Sequence, residues 1–177
     1  LEAVVGDLAA ARVVTLTGVG GIGKTRLALE VGRSSQTDWR DGVWFAALDT
    51  IDTPDAMLRA LLGLLGIEPR SQPDLESLIE GLRFRESLLI LDNCEHLLDA
   101  VAEATNAIVS SCPGVRVLAT SREPLDVEGE RVRRVRSLAT DQRGASVALF
   151  RVRAEEVGAS LDADRDMDAI VRICRRL

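Results

Sequence analysis

One lysine stands in this chain of 177 residues, and it falls in the run Gly18-Val19-Gly20-Gly21-Ile22-Gly23-Lys24-Thr25. Every other member of the 22 Lys and Arg residues is arginine. The run matches G-x-x-x-x-G-K-[ST], the Walker A or P-loop pattern, which requires a strand before it and a helix after it. The residue types have a physical reason. Closely spaced glycines let successive backbone N–H groups turn inward as an anion nest, and the following helix adds its partial positive end. An ammonium is a compact point charge that reaches between two phosphates, where a guanidinium is a wider planar fork. The sequence therefore predicts a site for a nucleoside di- or triphosphate (ATP or ADP) over Gly18, Val19, Gly20, Gly21, Ile22, Gly23, Lys24, Thr25 and Arg26.

The flanking segments fit the demand. Residues 12–17 are a β-branched run feeding the loop, and 25–31 carry Leu27, Ala28 and Val31 at helical spacing. Further strands are predicted at 42–48, 87–91, 115–120 and 131–138. Helices are predicted at 1–11, 55–66, 74–84 and from Leu97 to beyond Ile108. The runs at 42–48 and 87–91 are apolar on both faces, as buried parallel strands are. Strands alternating with helices imply an α/β fold in three layers, with a mainly parallel five-stranded sheet flanked by helices. From Asp141 the pattern changes to two helices, at 145–157 and 166–177, with no strand between them. The expected division is a nucleotide-binding domain over 1–140 and the start of a helical lid over 141–177.

Composition narrows the function classes. A formal net charge of −6 argues against nucleic-acid binding by these residues themselves, and 3% aromatic content with no tyrosine leaves no stacking platform. No apolar run approaches the ~20 residues of a membrane span. The first residues lack the basic start of a signal peptide. Three cysteines without C-x-x-C spacing indicate neither a disulfide framework nor a zinc site, so a cytoplasmic setting is expected.

Asp92 ends the aliphatic run 88–91, the Walker B arrangement. A strand end beside the P-loop would hold its carboxylate toward Mg²⁺, with the Thr25 hydroxyl as the other protein oxygen. Asn93, the next residue, cannot take a proton, so slow hydrolysis or none is expected. Glu95 is the nearest replacement base, and a carboxylate favoured in a first helical turn is the alternative. Arg122, just past the strand at 115–120, could reach a γ-phosphate, or could form a surface salt bridge. Lys24, Asp92, Glu95 and Arg122 are the candidate catalytic set. His96 reads as solvated or structural. Arg131, Arg133, Arg134 and Arg136 form the dense basic patch, readable as a phosphate or partner contact or as charges guarding an edge strand. A working P-loop ATPase or kinase is the competing class, although no substrate-accepting base or lid arginine set stands out.

Taken together, the runs 13–28, 89–98 and 117–125 resemble the NB-ARC-like branch of the STAND ATPases. The likeness is to the nucleotide-binding domains of large bacterial, often actinobacterial, transcriptional regulators of LuxR and similar types. The resemblance implies a regulatory switch, closed with ADP and opened for assembly by ATP. It implies that Lys24 and Thr25 hold phosphate and metal, Asp92 the metal, and Arg122 the γ-phosphate. It places an adenine-gripping Gly-Arg-Glu segment before Leu1, and a Gly-Leu-Pro-Leu-like element with a winged helix after Leu177. Partners implied are the nucleotide, those neighbouring lid, winged-helix and output domains, and further copies on ATP binding.

Overall fold

The computed structural model describes residues 1–69, 72–136, 144–156, 158 and 166–174. Five strands form one sheet: β1 (Val13–Thr17), β2 (Val43–Ala47), β3 (Ser87–Asp92), β4 (Val115–Ser121) and β5 (Glu130–Arg134). They lie in the order β2-β3-β4-β1-β5, and every pairing is parallel. The helices of the first compact unit, residues 1–135, are α1 (Glu2–Ala10), α2 (Lys24–Ser34), α3 (Pro54–Leu65), α4 (Leu75–Leu82) and α5 (Leu98–Ser111). The predicted α/β sheet is the observed one.

Side-chain alternation divides the core into two layers. Val14, Leu16, Leu88, Ile90 and Leu118 pack with Val4 and Leu8 of α1 and with Ala28 and Val31 of α2. The intervening residues Val13, Leu89, Leu91, Val117 and Ala119 pack on the other face against α3, α4 and α5. Strands buried on both sides must be apolar throughout, which is why β3 and β4 read as continuous runs. Each aliphatic side chain fully removed from water contributes about 1.5–3 kcal/mol. Gly32 lets α2 approach the sheet, because a Cβ there would sit 2.8 Å from Ile90 Cδ1.

Local chemistry sets the helix ends. Thr53 caps α3 by accepting from the Ala56 amide, with Pro54 at the first helical position. Gly66, at φ +63, ends that helix in the left-handed conformation glycine tolerates best. Asp74 caps α4 by accepting from the Ser77 amide, and the Ser77 side chain, with that amide, lowers the Asp74 pKa. The guanidinium of Arg12 donates to the carbonyls of Val109, Cys112 and Val115, satisfying the end of α5 and tying it to the start of β1.

The second compact unit, residues 136–177, contains α6 (Ala145–Glu156) and α7 (Met167–Cys174). Val147, Ile170 and Val171 form its buried cluster, with Phe150, Met167 and Cys174 against it. β5 ends at Arg134, short of the expected 138, while residues 137–138, the expected boundary at 140/141, Val157 and the end of the last helix lie outside the described residues.

Two arginines of the basic patch, Arg131 and Arg133, have a specific partner. Asp7 of α1 is buried, and its carboxylate accepts from Arg133 and pairs with Arg131 at 3.2 Å, both on edge strand β5. The ion pairs hold α1 against the sheet edge. The hydrogen bond from Arg133 is the largest cause that holds the Asp7 carboxyl below its usual range. A depressed carboxylate pKa gives stability that is complete above the unfolded value of about 3.9 and is lost as pH falls through the folded value. Asp7→Asn should therefore cost about 1–2 kcal/mol at pH 7 in urea unfolding, with the gap to wild type narrowing below about pH 4.

Candidate nucleotide site

The parallel sheet delivers the sequence-predicted residues to one edge. β1 ends at Thr17, the glycine loop follows, and α2 begins at Lys24. Gly18 has φ +152, and a Cβ there would stand 2.9 Å from the Val135 carbonyl oxygen, so the loop's first position excludes a side chain. Gly23 precedes α2 in the left-handed region at φ +94. No side chain caps the start of α2, leaving its first N–H groups and partial positive charge for a ligand. Lys24 is largely buried and curls back over the loop, its Nζ donating to the carbonyls of Gly18 at 2.8 Å and Val19 at 3.1 Å.

The neighbouring strands complete the edge. The Thr25 hydroxyl donates to Asp92 Oδ2 at 3.0 Å, and the Thr120 hydroxyl donates to Asp92 Oδ1 at 2.6 Å. Thr120 also accepts from the Asn93 amide at 3.0 Å. Asn93 turns the chain out of β3 at φ +66, a conformation asparagine tolerates better than most side chains. A one-turn 3₁₀ helix, Cys94–His96, follows before α5, so Glu95 sits in that turn rather than in the first turn of a long helix. Glu95 Oε1 pairs with Arg122 Nε at 3.0 Å, while its Oε2 is buried without a hydrogen-bond partner. Arg122 lies over the loop, with a guanidinium nitrogen 3.9 Å from where a Gly20 Cβ would be.

These groups line an open cleft of about 440 Å³, bounded by Gly20, Gly21, Gly23, Lys24, Thr25, Arg26, Leu29, Asn93, Glu95, Thr120 and Arg122. Asp92 stands behind this lining, bonded to two of its members. Gly18 and Val19 contribute carbonyls to Lys24 rather than cleft surface, and Ile22 packs toward Gly18. Sequence reasoning missed Leu29 and the role of Thr120. A hydroxyl ending an otherwise aliphatic strand is the signal that could have found Thr120.

The remaining polar residues nearby are structural in their contacts. His96 Nε2 hydrogen-bonds the Ile51 carbonyl at 2.8 Å. Cys94 Sγ faces the Leu91 carbonyl, and burial pushes its thiol up to about 12.

The donor set suits Mg²⁺. Among the described residues no group of three or more His, Cys, Asp or Glu side chains stands together to hold a metal. Mg²⁺ needs no such cage, since it is commonly held by one carboxylate, a hydroxyl, waters and phosphate oxygens. Thr25 spends its proton on Asp92 and keeps oxygen lone pairs for a cation.

Comparison with known proteins places the fold and the family. Residues 8–126 match the AAA domain family. A Mycobacterium tuberculosis protein assigned as an HTH-type transcriptional regulator is 39% identical over 173 residues, covering 96% of this chain and 19% of that protein. The regulatory protein AfsR of Streptomyces griseus is 27% identical over 172 residues, 89% of this chain and 16% of AfsR. The chain thus spans about a fifth of the length of the regulators it matches. Among solved structures, Cdc6p of Pyrobaculum aerophilum superposes with a TM-score of 0.70 at 15% identity, over 98% of this chain and 53% of that one. A Pyrococcus horikoshii STAND protein with a tetratricopeptide repeat sensor gives 0.57 at 15% identity, over 99% and 27%. Both likenesses are of fold. Among the described residues no helix is long and apolar enough to cross a membrane.

The Glu95–Arg122 pair is half in water, with Arg122 66% exposed. A double-mutant cycle in urea unfolding should give a coupling of about 0.2–1 kcal/mol that shrinks as salt is raised.

Proposed function

The chain belongs to the AAA domain family, and from that premise we propose that it is an ATP/ADP-binding switch module of a multidomain transcriptional or signalling regulator. The observation that carries the reading is Lys24, Thr25 and Arg122 lining one cleft beside an uncapped helix start, with Asp92 bonded to Thr25 behind it. In this reading the backbone from Gly18 to Arg26 cradles the phosphates. Lys24 exchanges its two loop carbonyls for β- and γ-phosphate oxygens. Thr25 and Asp92 hold Mg²⁺, which when bound neutralises charge on those phosphates. Arg122 leaves Glu95 for the γ-phosphate and so distinguishes ATP from ADP.

A switch needs only a difference in affinity between its two states for the two nucleotides. Slow hydrolysis follows from Asn93, which stands directly after Asp92 and offers no base. The relatives named as regulators support the regulatory setting, and a cytoplasmic place beside output domains belongs to the same proposal. The finer assignment is to the NB-ARC-like STAND branch of LuxR-type and similar regulators. Residues 1–140 then form the nucleotide domain, residues 141–177 begin a helical lid, and ATP promotes self-association. The unpartnered Glu95 Oε2 favours a second reading, a working ATPase with Glu95 as base.

Calorimetry on the intact protein tests the phosphate site: Lys24→Ala should abolish binding of both ATP and ADP, and unchanged affinity would reject the assignment. Arg122→Ala should weaken ATP about tenfold or more while leaving ADP nearly unaffected, the loss of one charge-assisted hydrogen bond to the γ-phosphate. Equal losses would remove the sensor role. Turnover above about 1 s⁻¹ would favour the working enzyme over the switch.

A further inference from the structure

The Asp92 carboxylate has two oxygens and two hydroxyl donors, and the donors come from different elements. Oδ2 takes the Thr25 hydroxyl, at the start of α2. Oδ1 takes the Thr120 hydroxyl at 2.6 Å, the shorter and more buried of the two bonds, with Thr120 itself 1% exposed. The sheet register explains the meeting. Leu91 stands opposite Ala119 across the parallel β3–β4 pair, so the next step places Asp92 beside Thr120. Alternation puts both on the sheet face that carries Leu88, Ile90 and Leu118, the face packed by α2.

The carboxylate torsion of aspartate is broad and roughly two-fold, so packing alone does not choose which oxygen faces the loop. A short hydroxyl bond to an ionised oxygen does choose. The same Thr120 oxygen accepts from the Asn93 amide, pinning the left-handed residue that ends β3. Thr120 thus fixes the carboxylate plane and the backbone that carries it.

We propose that Thr120 is the positioning residue of the metal side of this site: it holds Asp92 Oδ1 so that Oδ2 and the Thr25 hydroxyl stand ready as a pair for Mg²⁺. The inference rests on the nucleotide-switch reading above and adds a residue to which that reading gave no part. Thr120 lines the cleft, but both bonds of its hydroxyl are spent on the end of β3, on Asp92 and the Asn93 amide. It acts through Asp92, as the groups behind a metal ligand commonly do.

The test is titration of a non-hydrolysable ATP analogue into the intact protein over a range of free Mg²⁺, and again in EDTA. Wild type is compared with Thr120→Val, which keeps the shape and removes the hydroxyl, and with Thr120→Ser, which keeps the hydroxyl. Thr120→Val should need about tenfold more Mg²⁺ for half-maximal tightening, the usual scale for removing a residue behind a metal ligand. Its affinity in EDTA should stay at the wild-type value, and Thr120→Ser should restore the Mg²⁺ midpoint. Thr120→Ala runs in parallel, so that misfolding of the valine variant leaves an answer. A lower melting temperature with an unmoved Mg²⁺ midpoint would make Thr120 merely structural and overturn the proposal. Equal losses with and without Mg²⁺ would do the same. Wild type that binds the analogue with no response to Mg²⁺ would reject the metal site itself, and Thr120 with it.

Discussion

All five strands run in one direction, and the chemistry at the site depends on that constraint. In a parallel sheet every strand delivers its carboxyl end to the same edge, and ligands of such folds gather there. The glycine loop leaves β1, Asp92 ends β3, and Thr120 lies near the end of β4. Residues 67 and 28 positions away from Asp92 meet its two carboxylate oxygens only because β3, β4 and β1 are consecutive in the sheet. Burial of alternate aliphatics on both faces fixes that order, since a one-residue slip would turn the strand side chains to the wrong layers.

The site is built around contacts that a ligand can replace. Lys24 is bonded to carbonyls of its own loop, and Arg122 to Glu95. In the proposed switch each cation would leave a protein partner for phosphate, and the binding free energy would be the difference between the two partners. The Arg122 end of its pair with Glu95 is largely in water and the pair correspondingly weak, so on the proposed reading a γ-phosphate would need little to win the guanidinium. Asp92 differs: it is buried and held at both oxygens, a fixed part of the frame.

Much of this was legible in the sequence, for local reasons. The glycine loop, the aliphatic run ending on Asp92, the strand at 115–120 and the helices at 55–66 and 74–84 are short-range patterns, and elements formed where they indicated. Pairings between distant side chains were not legible. Asp7 reads as one acid in an amphipathic helix, and nothing local shows that Arg131 and Arg133 will close on it. Arg12 likewise gives no sign of reaching the last carbonyls of α5 nearly a hundred residues later. Such contacts depend on strand order, which periodicity does not encode. Thr120 escaped for a related reason, because its partner is set by the β3–β4 register.

The account stands on Lys24 as the phosphate grip, and this chain offers a site-resolved way to see it. Lys24 is the one lysine among its 177 residues, so acylation by an amine-reactive probe can be followed on a single peptide by mass spectrometry. At ten times the dissociation constant, ADP or ATP should slow modification of Lys24 about tenfold by mass action, with adenosine giving no comparable protection. A labelling rate indifferent to either nucleotide would contradict the account at its centre.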